Sequence, residues 1–177
     1  MGERILIVGG TRSGKSRLAA RLAEIHTPVS FVATATREPD DAEMGARIDR
    51  HRAERPATWT TIEVPRDLEG ALSGLARGGG SVIVDCLTLW ISNLMLGLGG
   101  GPALDDPAIL GAVGRLGNLA RGPATVIWVS NEVGSGVIPE NRLARRFADL
   151  QGSANQIMAE ASDRVYLCVV GLPLTLK

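Results

Sequence analysis

Residues Gly9, Gly10, Thr11, Arg12, Ser13, Gly14, Lys15 and Ser16 read GGTRSGKS. Two glycines separated by four residues and followed at once by lysine and a hydroxyl match the G-x-x-x-x-G-K-[ST] spacing at every position. Such a loop turns successive backbone N–H groups inward as an anion nest, and the positive end of the helix that follows adds to the field. Lys15 would neutralise β- and γ-phosphate oxygens of a bound nucleotide, and the Ser16 hydroxyl would ligate Mg²⁺. The context is right, because an apolar run, ILIV, enters the loop and an amphipathic run, LAARLAEI, leaves it.

A phosphate loop needs a second oxygen ligand for the metal at the end of a neighbouring strand. Asp85, which closes the apolar run SVIVD, supplies one; the competing role is a cap for the next helix. A second concentration of chemistry lies in MGARIDRHRAERP, Met44 to Pro56, where Arg47, Arg50, Arg52 and Arg55 surround His51. Guanidiniums clamp phosphate bidentately, and a neutral imidazole nitrogen can attack an α-phosphorus to give a covalent nucleotidyl-histidine with pyrophosphate leaving. At 100° per residue, however, His51 falls on the line of Met44 and Ile48, so a core histidine is the alternative. His26, ahead of Thr27-Pro28, reads as a helix C-terminal cap.

Short apolar runs that can position these groups recur at Arg4 to Val8, Val29 to Ala33, Trp59 to Val64, Ser81 to Asp85, Thr125 to Ser130 and Val165 to Val170. Between them the pattern predicts helices at Lys15 to Ile25, Asp41 to Glu54, Asp67 to Ala76, Leu87 to Leu96, Ala108 to Ala120 and Asn141 to Ala161. The alternation predicts an α/β fold: a mostly parallel sheet with helices on both faces and ligands at the carboxyl ends of the strands. Leu172 to Leu176 would add a C-terminal antiparallel edge strand, Gly97 to Pro107 reads as a flexible loop, and residues 1–177 as one phosphate-loop domain. Asn131, Glu132 and Gly134, after the run TVIWVS, fall on the same ligand-facing edge. Trp90 and Leu94 suit the core or a subunit interface.

The chain has nineteen basic and nineteen acidic residues and only 3% aromatics. No global field draws it to nucleic acid or an anionic membrane, and stacking platforms for single strands are scarce. No membrane span and no secretory leader is expected, and Cys86 and Cys168, both in apolar runs, read as buried reduced thiols of a cytoplasmic protein.

The chain resembles the bifunctional adenosylcobinamide kinase / adenosylcobinamide-phosphate guanylyltransferase family of cobalamin biosynthesis. The likeness rests on GGTRSGKS, ATAT from Ala33, ARIDRHRAERPATW from Ala46, VDCLTLWISNL from Val84, SNEVGSGVIPENRLARRFAD from Ser130 and the closing VVGLPLTLK. It implies a RecA-like P-loop NTPase fold, ATP and GTP as substrates with Mg²⁺, a corrinoid acceptor and a homotrimer. It implies that His51 is the guanylylated histidine, and that Thr34, Ala35, Thr36, Arg52, Ala53, Glu54, Arg55 and Glu63 lie beside the nucleotide. Glu63 would accept from guanine N1–H and its amino group, or else be an ordinary strand-end carboxylate. At Thr11 the family more often carries alanine, a solvent-side departure.

Overall fold

The computed structural model describes residues 1–37, 42–119 and 121–177, with the Arg47 side chain outside the description. The strands are β1 (Arg4–Gly9), β2 (Val29–Ala33), β3 (Thr60–Glu63), β4 (Ser81–Asp85), β5 (Thr125–Asn131), β6 (Arg164–Val169) and β7 (Leu172–Thr175). The helices are α1 (Lys15–Ala23), α2 (Ala42–Ala53), α3 (Leu68–Leu75), α4 (Leu87–Leu96), α5 (Asp106–Gly117) and α6 (Arg142–Ala161). The strands form one seven-stranded sheet in the order β3-β2-β4-β5-β1-β6-β7, parallel except for the closing β6–β7 pair.

Period-two alternation sorts the strand side chains onto two cores. Leu6, Val8, Val82, Val84, Val126 and Trp128 face one side and pack under α3 to α6, with Leu72, Ile91, Ile109, Leu150 and Met158. Ile5, Ile7, Ile83, Ile127 and Val129 face the other and are covered by Leu18, Ala19 and Ala23 of α1. Among the described residues no side chain of α2 belongs to either cluster. Trp90 is core, its indole N–H donating to the Arg66 carbonyl at 2.6 Å, and Leu94 packs with it. Both cysteines are buried and free. Burial beside the Asp85 carboxylate pushes the Cys86 thiol up to about 12, so it stays protonated and inert.

Strand and helix bounds move by a residue or so at several ends, and three expectations change more. The α1 helix ends at Ala23 with Glu24 as its cap, and His26 lies exposed beyond it. The α5 helix begins at Asp106, because the Asp105 side chain caps it through the Ala108 N–H at 2.9 Å and Pro107 suits the first turn. The glycine-rich loop before it is pinned: the Arg66 guanidinium donates to the carbonyls of Asn93 (3.0 Å), Leu98 (2.8 Å) and Pro102 (2.7 Å). Asp41 and Ala120, expected at helix ends, lie outside the described residues.

Parallel β1 and β6 are registered at their start by Asp163, which accepts from the Arg4 amide (2.8 Å) and from Arg121 Nη1 (2.7 and 2.8 Å). Burial alone would raise this carboxyl, but those donors outweigh it and hold it below the usual carboxylate range. A depressed folded-state value means stabilisation that is complete above the unfolded pKa of about 4 and lost as pH falls through the lower folded value. Asp163→Ala should therefore cost about 1–2 kcal/mol in urea melts at neutral pH, and the gap to wild type should close on acidification.

Candidate active site

The loop between β1 and α1 gains its shape from glycines. Gly14 caps α1 at φ 98°, a left-handed backbone, and offers no side chain, so the first-turn N–H groups stay free of a side-chain cap. A Cβ there would come within 3.0 Å of Gly171 Cα, and one on Gly9 within 2.5 Å of the Cys168 carbonyl oxygen. The turn joining β6 to β7 thus lies against the loop. The Gly171 N–H donates to the Ser13 carbonyl (3.0 Å), and Arg17 Nη2 reaches the Gly171 carbonyl (3.4 Å). Lys15 is buried, and its ammonium donates to the Gly10 carbonyl at 2.7 Å. The lysine is held over the nest its own loop forms.

One strand across from β5, β4 delivers Asp85 to the same edge, with Asp85 Oδ2 at 3.4 Å from Ser16 Oγ. Burial drives the Asp85 carboxyl up, while the charges of His51, Arg55 and Lys15 and the Ser16 hydroxyl pull the other way. Asp85 is not the cap of α4; Cys86 is, its sulfur accepting from the Leu89 N–H at 3.5 Å. That frees the carboxylate to face the cleft.

The cleft has a volume of about 510 Å³, the size of a nucleotide site. It is lined by Gly14, Lys15, Ser16 and Asp85, with Thr11 and Arg12 of the loop, and by His51, Arg52, Arg55, Glu63 and Ala35. Met44 and Ile48 line it too, so the apolar stripe of α2 faces the cleft and His51 is a half-buried wall residue of that cavity. His51 thus borders the cavity and belongs to neither hydrophobic cluster. Arg55 stacks 3.8 Å over the Phe31 ring, itself stacked on Trp59 with centroids 6.2 Å apart. Burial lowers the Arg55 pKa, and its Nε is buried with no hydrogen-bond partner among the described residues. Arg52 and Glu63 pair at 3.6 Å between α2 and β3, both largely exposed, a contact of order 0–1 kcal/mol that a ligand can displace.

Other expected contacts lie elsewhere. Thr34 is fully buried; its hydroxyl donates to the Cys86 carbonyl (2.7 Å) and accepts from the Cys86 N–H (2.8 Å), which shapes the β4–α4 junction. Thr36 lines a neighbouring groove with Glu63 and Gly97 to Gly100, and its hydroxyl reaches Asn93 Oδ1 at 3.4 Å. Within the loop Ser13 is buried and Gly10 exposed, and Ala53 and Glu54 are exposed without lining the cleft. The cleft also takes in Arg17, Leu89, Val129, Asn131, Val170 and Gly171. Of these only Asn131 carried a signal, its place after a strand on the ligand edge. The β6–β7 turn reaches the loop through sheet order, which local sequence does not encode.

Residues 5–176 match the family described as cobinamide kinase / cobinamide phosphate guanyltransferase. The chain is 46% identical to the bifunctional adenosylcobalamin biosynthesis protein CobP of Pseudomonas aeruginosa, over 98% of this chain and 97% of that protein. It is 38% identical to CobU of Salmonella typhimurium, a protein of the same description, over 98% and 99%. Among solved structures, the type III secretion ATPase EscN of enteropathogenic E. coli aligns with a TM-score of 0.60 at 15% identity, over 96% of this chain and 43% of that one. That likeness shows the P-loop NTPase fold alone, and the chain spans less than half of that ATPase's length. The chain belongs to the cobinamide kinase / cobinamide phosphate guanyltransferase family and is an enzyme of cobalamin biosynthesis.

Proposed function

We propose that this one cleft, within a single domain, carries both transfers, with Lys15 serving phosphoryl transfer and His51 forming a covalent guanylyl intermediate. The observation that carries the reading is the placement of His51, together with Arg52 and Arg55, on the wall of the cavity that also holds Lys15, Ser16 and Asp85. In the kinase step the Lys15 ammonium and the first-turn N–H groups of α1 hold the β- and γ-phosphates of ATP or GTP. The γ-phosphoryl passes to the hydroxyl of the aminopropanol arm of adenosylcobinamide.

Ser16 and Asp85 fit Mg²⁺: two hard oxygen donors 3.4 Å apart, in a site that leaves the other positions to phosphate and water. Among the described residues no group of three or more His, Cys, Asp or Glu could hold a metal by itself. When bound, Mg²⁺ neutralises charge on the phosphate oxygens. Because burial makes the Asp85 charge costly, Asp85→Asn should leave the melting temperature unchanged or raised. The Mg²⁺ concentration for half-maximal turnover should rise about 10- to 100-fold; an unchanged Mg²⁺ titration would remove Asp85 from the metal role.

In the guanylyl step an imidazole nitrogen of His51 bonds to the α-phosphorus of GTP as the bond to pyrophosphate breaks, and the guanidiniums of Arg52 and Arg55 hold phosphate oxygens. The phosphate of adenosylcobinamide phosphate then takes GMP, which returns free His51 and yields adenosyl-GDP-cobinamide. A phosphorus–nitrogen bond yields to a phosphate oxygen where a serine ester would resist. Glu63, once its weak pair with Arg52 opens, accepts from the guanine edge, a pairing adenine cannot match.

Labelling tests the reading. GTP labelled at the α-phosphorus should leave acid-labile, base-stable label on the protein, and GTP labelled at the γ-phosphorus none. Absence of α-label would reduce the activity to a metabolite kinase. We further place the enzyme in the cytoplasm as a homotrimer acting on a corrinoid and not on nucleic acid, in keeping with balanced charge. No helix among the described residues is long and apolar enough to cross a membrane.

A further inference from the structure

Behind the loop end of the cleft, three elements converge on one residue. β5 lies between β1 and β4 in the sheet, and its last residue, Asn131, stands in register with Gly9, while Val129 stands in register with Asp85. Asn131 therefore pairs with the strand that launches the phosphate loop and lies two residues beyond the point where β5 pairs with Asp85 of β4. Its main chain is fixed from both ends. The Asn131 N–H donates to Thr88 Oγ1 of α4 at 2.7 Å, and its carbonyl accepts from Asn155 Nδ2 of α6 at 3.0 Å.

Asn155 is in turn oriented by a buried network. Its Oδ1 accepts from Ser130 Oγ (2.7 Å) and from Gln151 Nε2 (2.9 Å), and Gln151 Nε2 also donates to Ser130 Oγ (2.9 Å). Ser130 and Gln151 are fully buried and Thr88 is 5% exposed. Burying such groups costs stability unless each is bonded, and among the described residues Gln151 Oε1 alone of this cluster has no partner, so the cluster specifies position more than it adds stability. The turn that follows does not need Asn131, for Glu132 closes it: its Oε1 accepts from the Gly134 N–H at 2.7 Å, and its own N–H donates to the Gly9 carbonyl at 3.0 Å. What the network holds still is a residue on the cleft wall whose side-chain amide has no hydrogen bond among the described residues.

We propose that Asn131 is a further catalytic residue of the phosphoryl-transfer step, its side-chain N–H groups donating to the oxygens of the transferred γ-phosphoryl group. In that step the bond from γ-phosphorus to the β-phosphate oxygen breaks and a bond to the acceptor hydroxyl oxygen forms. The nucleoside diphosphate leaves and the hydroxyl proton passes to solvent. Charge moves onto the equatorial and leaving oxygens, and a prepositioned neutral donor beside Lys15 stabilises it without reorganising. The residue is assigned to this step because phosphoryl transfer moves the γ-phosphorus, whereas guanylyl transfer breaks a bond at the α-phosphorus and leaves the γ-phosphate within the departing pyrophosphate. The proposal rests on the kinase reading of the phosphate loop and is independent of the covalent role of His51.

The test uses the full chain with Mg²⁺, ATP or GTP and adenosylcobinamide, comparing wild type with Asn131→Ala and Asn131→Asp. The aspartate keeps the shape and replaces the donors with acceptors. Kinase kcat should fall about 100-fold or more in both, with the nucleotide Kd within about threefold and GMP labelling of the protein undiminished. Kinase turnover within about tenfold of wild type in either variant overturns the proposal. So does a parallel loss of turnover, nucleotide binding and melting temperature, which marks a structural turn. A wild type that phosphorylates without taking up GMP label sinks the His51 mechanism and leaves the kinase comparison to decide Asn131.

Discussion

His51→Ala will phosphorylate adenosylcobinamide and stop there, accumulating adenosylcobinamide phosphate and transferring no GMP. The kinase step depends on Lys15, Ser16, Asp85, the α1 terminus and the accepting hydroxyl, and the bonds from Lys15 to Gly10 and from Ser16 to Asp85 do not involve the imidazole. Its kcat should stay within about tenfold of wild type. Guanylyl transfer needs a nitrogen nucleophile at the α-phosphorus, and loss of a covalent nucleophile should lower it by about four orders of magnitude or more. Stability should change by about 1 kcal/mol or less, because His51 is a half-buried wall residue and not part of either core. A secondary effect follows from charge. His51 is the leading influence opposing the upward drive of burial on Asp85, so its removal lets that carboxyl rise further, and the surviving kinase should weaken sooner on acidification. Joint loss of both activities with a lowered melting temperature would mark His51 as structural.

Lys15→Ala should abolish both activities. The ammonium is buried at the mouth of the anion nest, where the loop gathers phosphate charge that α1 alone cannot neutralise. Removing one such preorganised charge from a transition state costs roughly 100- to 1,000-fold in kcat, and nucleotide affinity should fall with it, since the same contact serves the ground state. The GMP label on His51 should disappear as well, because both steps draw the triphosphate into one cleft. Turnover near wild type, read in the coupled assay from adenosylcobinamide to adenosyl-GDP-cobinamide, would overturn the placement of the triphosphate in the loop.

The parts of this site that were legible in the sequence are those set by local rules. β2, β4 and α4 begin and end as the residue pattern predicts, because buried β-branched runs and a left-handed Gly97 punctuate them. The loop was legible because its geometry demands glycine at fixed spacing. The α2 stripe shows the limit. Periodicity says that Met44, Ile48 and His51 share a face, but not whether sheet or ligand covers it, and here the face turns to the cleft. Thr34 misleads for the opposite reason: it sits next to Ala35 at the strand end, yet alternation turns its hydroxyl inward onto Cys86. Arg66, the β6–β7 turn and the Asn155 network act across separations that no local pattern carries.

The central claim, a covalent guanylyl-histidine on the wall of the phosphate-loop cleft, is tested most directly by mass spectrometry of the protein after incubation with GTP and Mg²⁺. The account predicts a gain of one GMP on the peptide that carries His51, discharged when adenosylcobinamide phosphate is added, with adenosyl-GDP-cobinamide formed in equal amount. No adduct, an adduct on a different residue, or one that adenosylcobinamide phosphate fails to remove would contradict it.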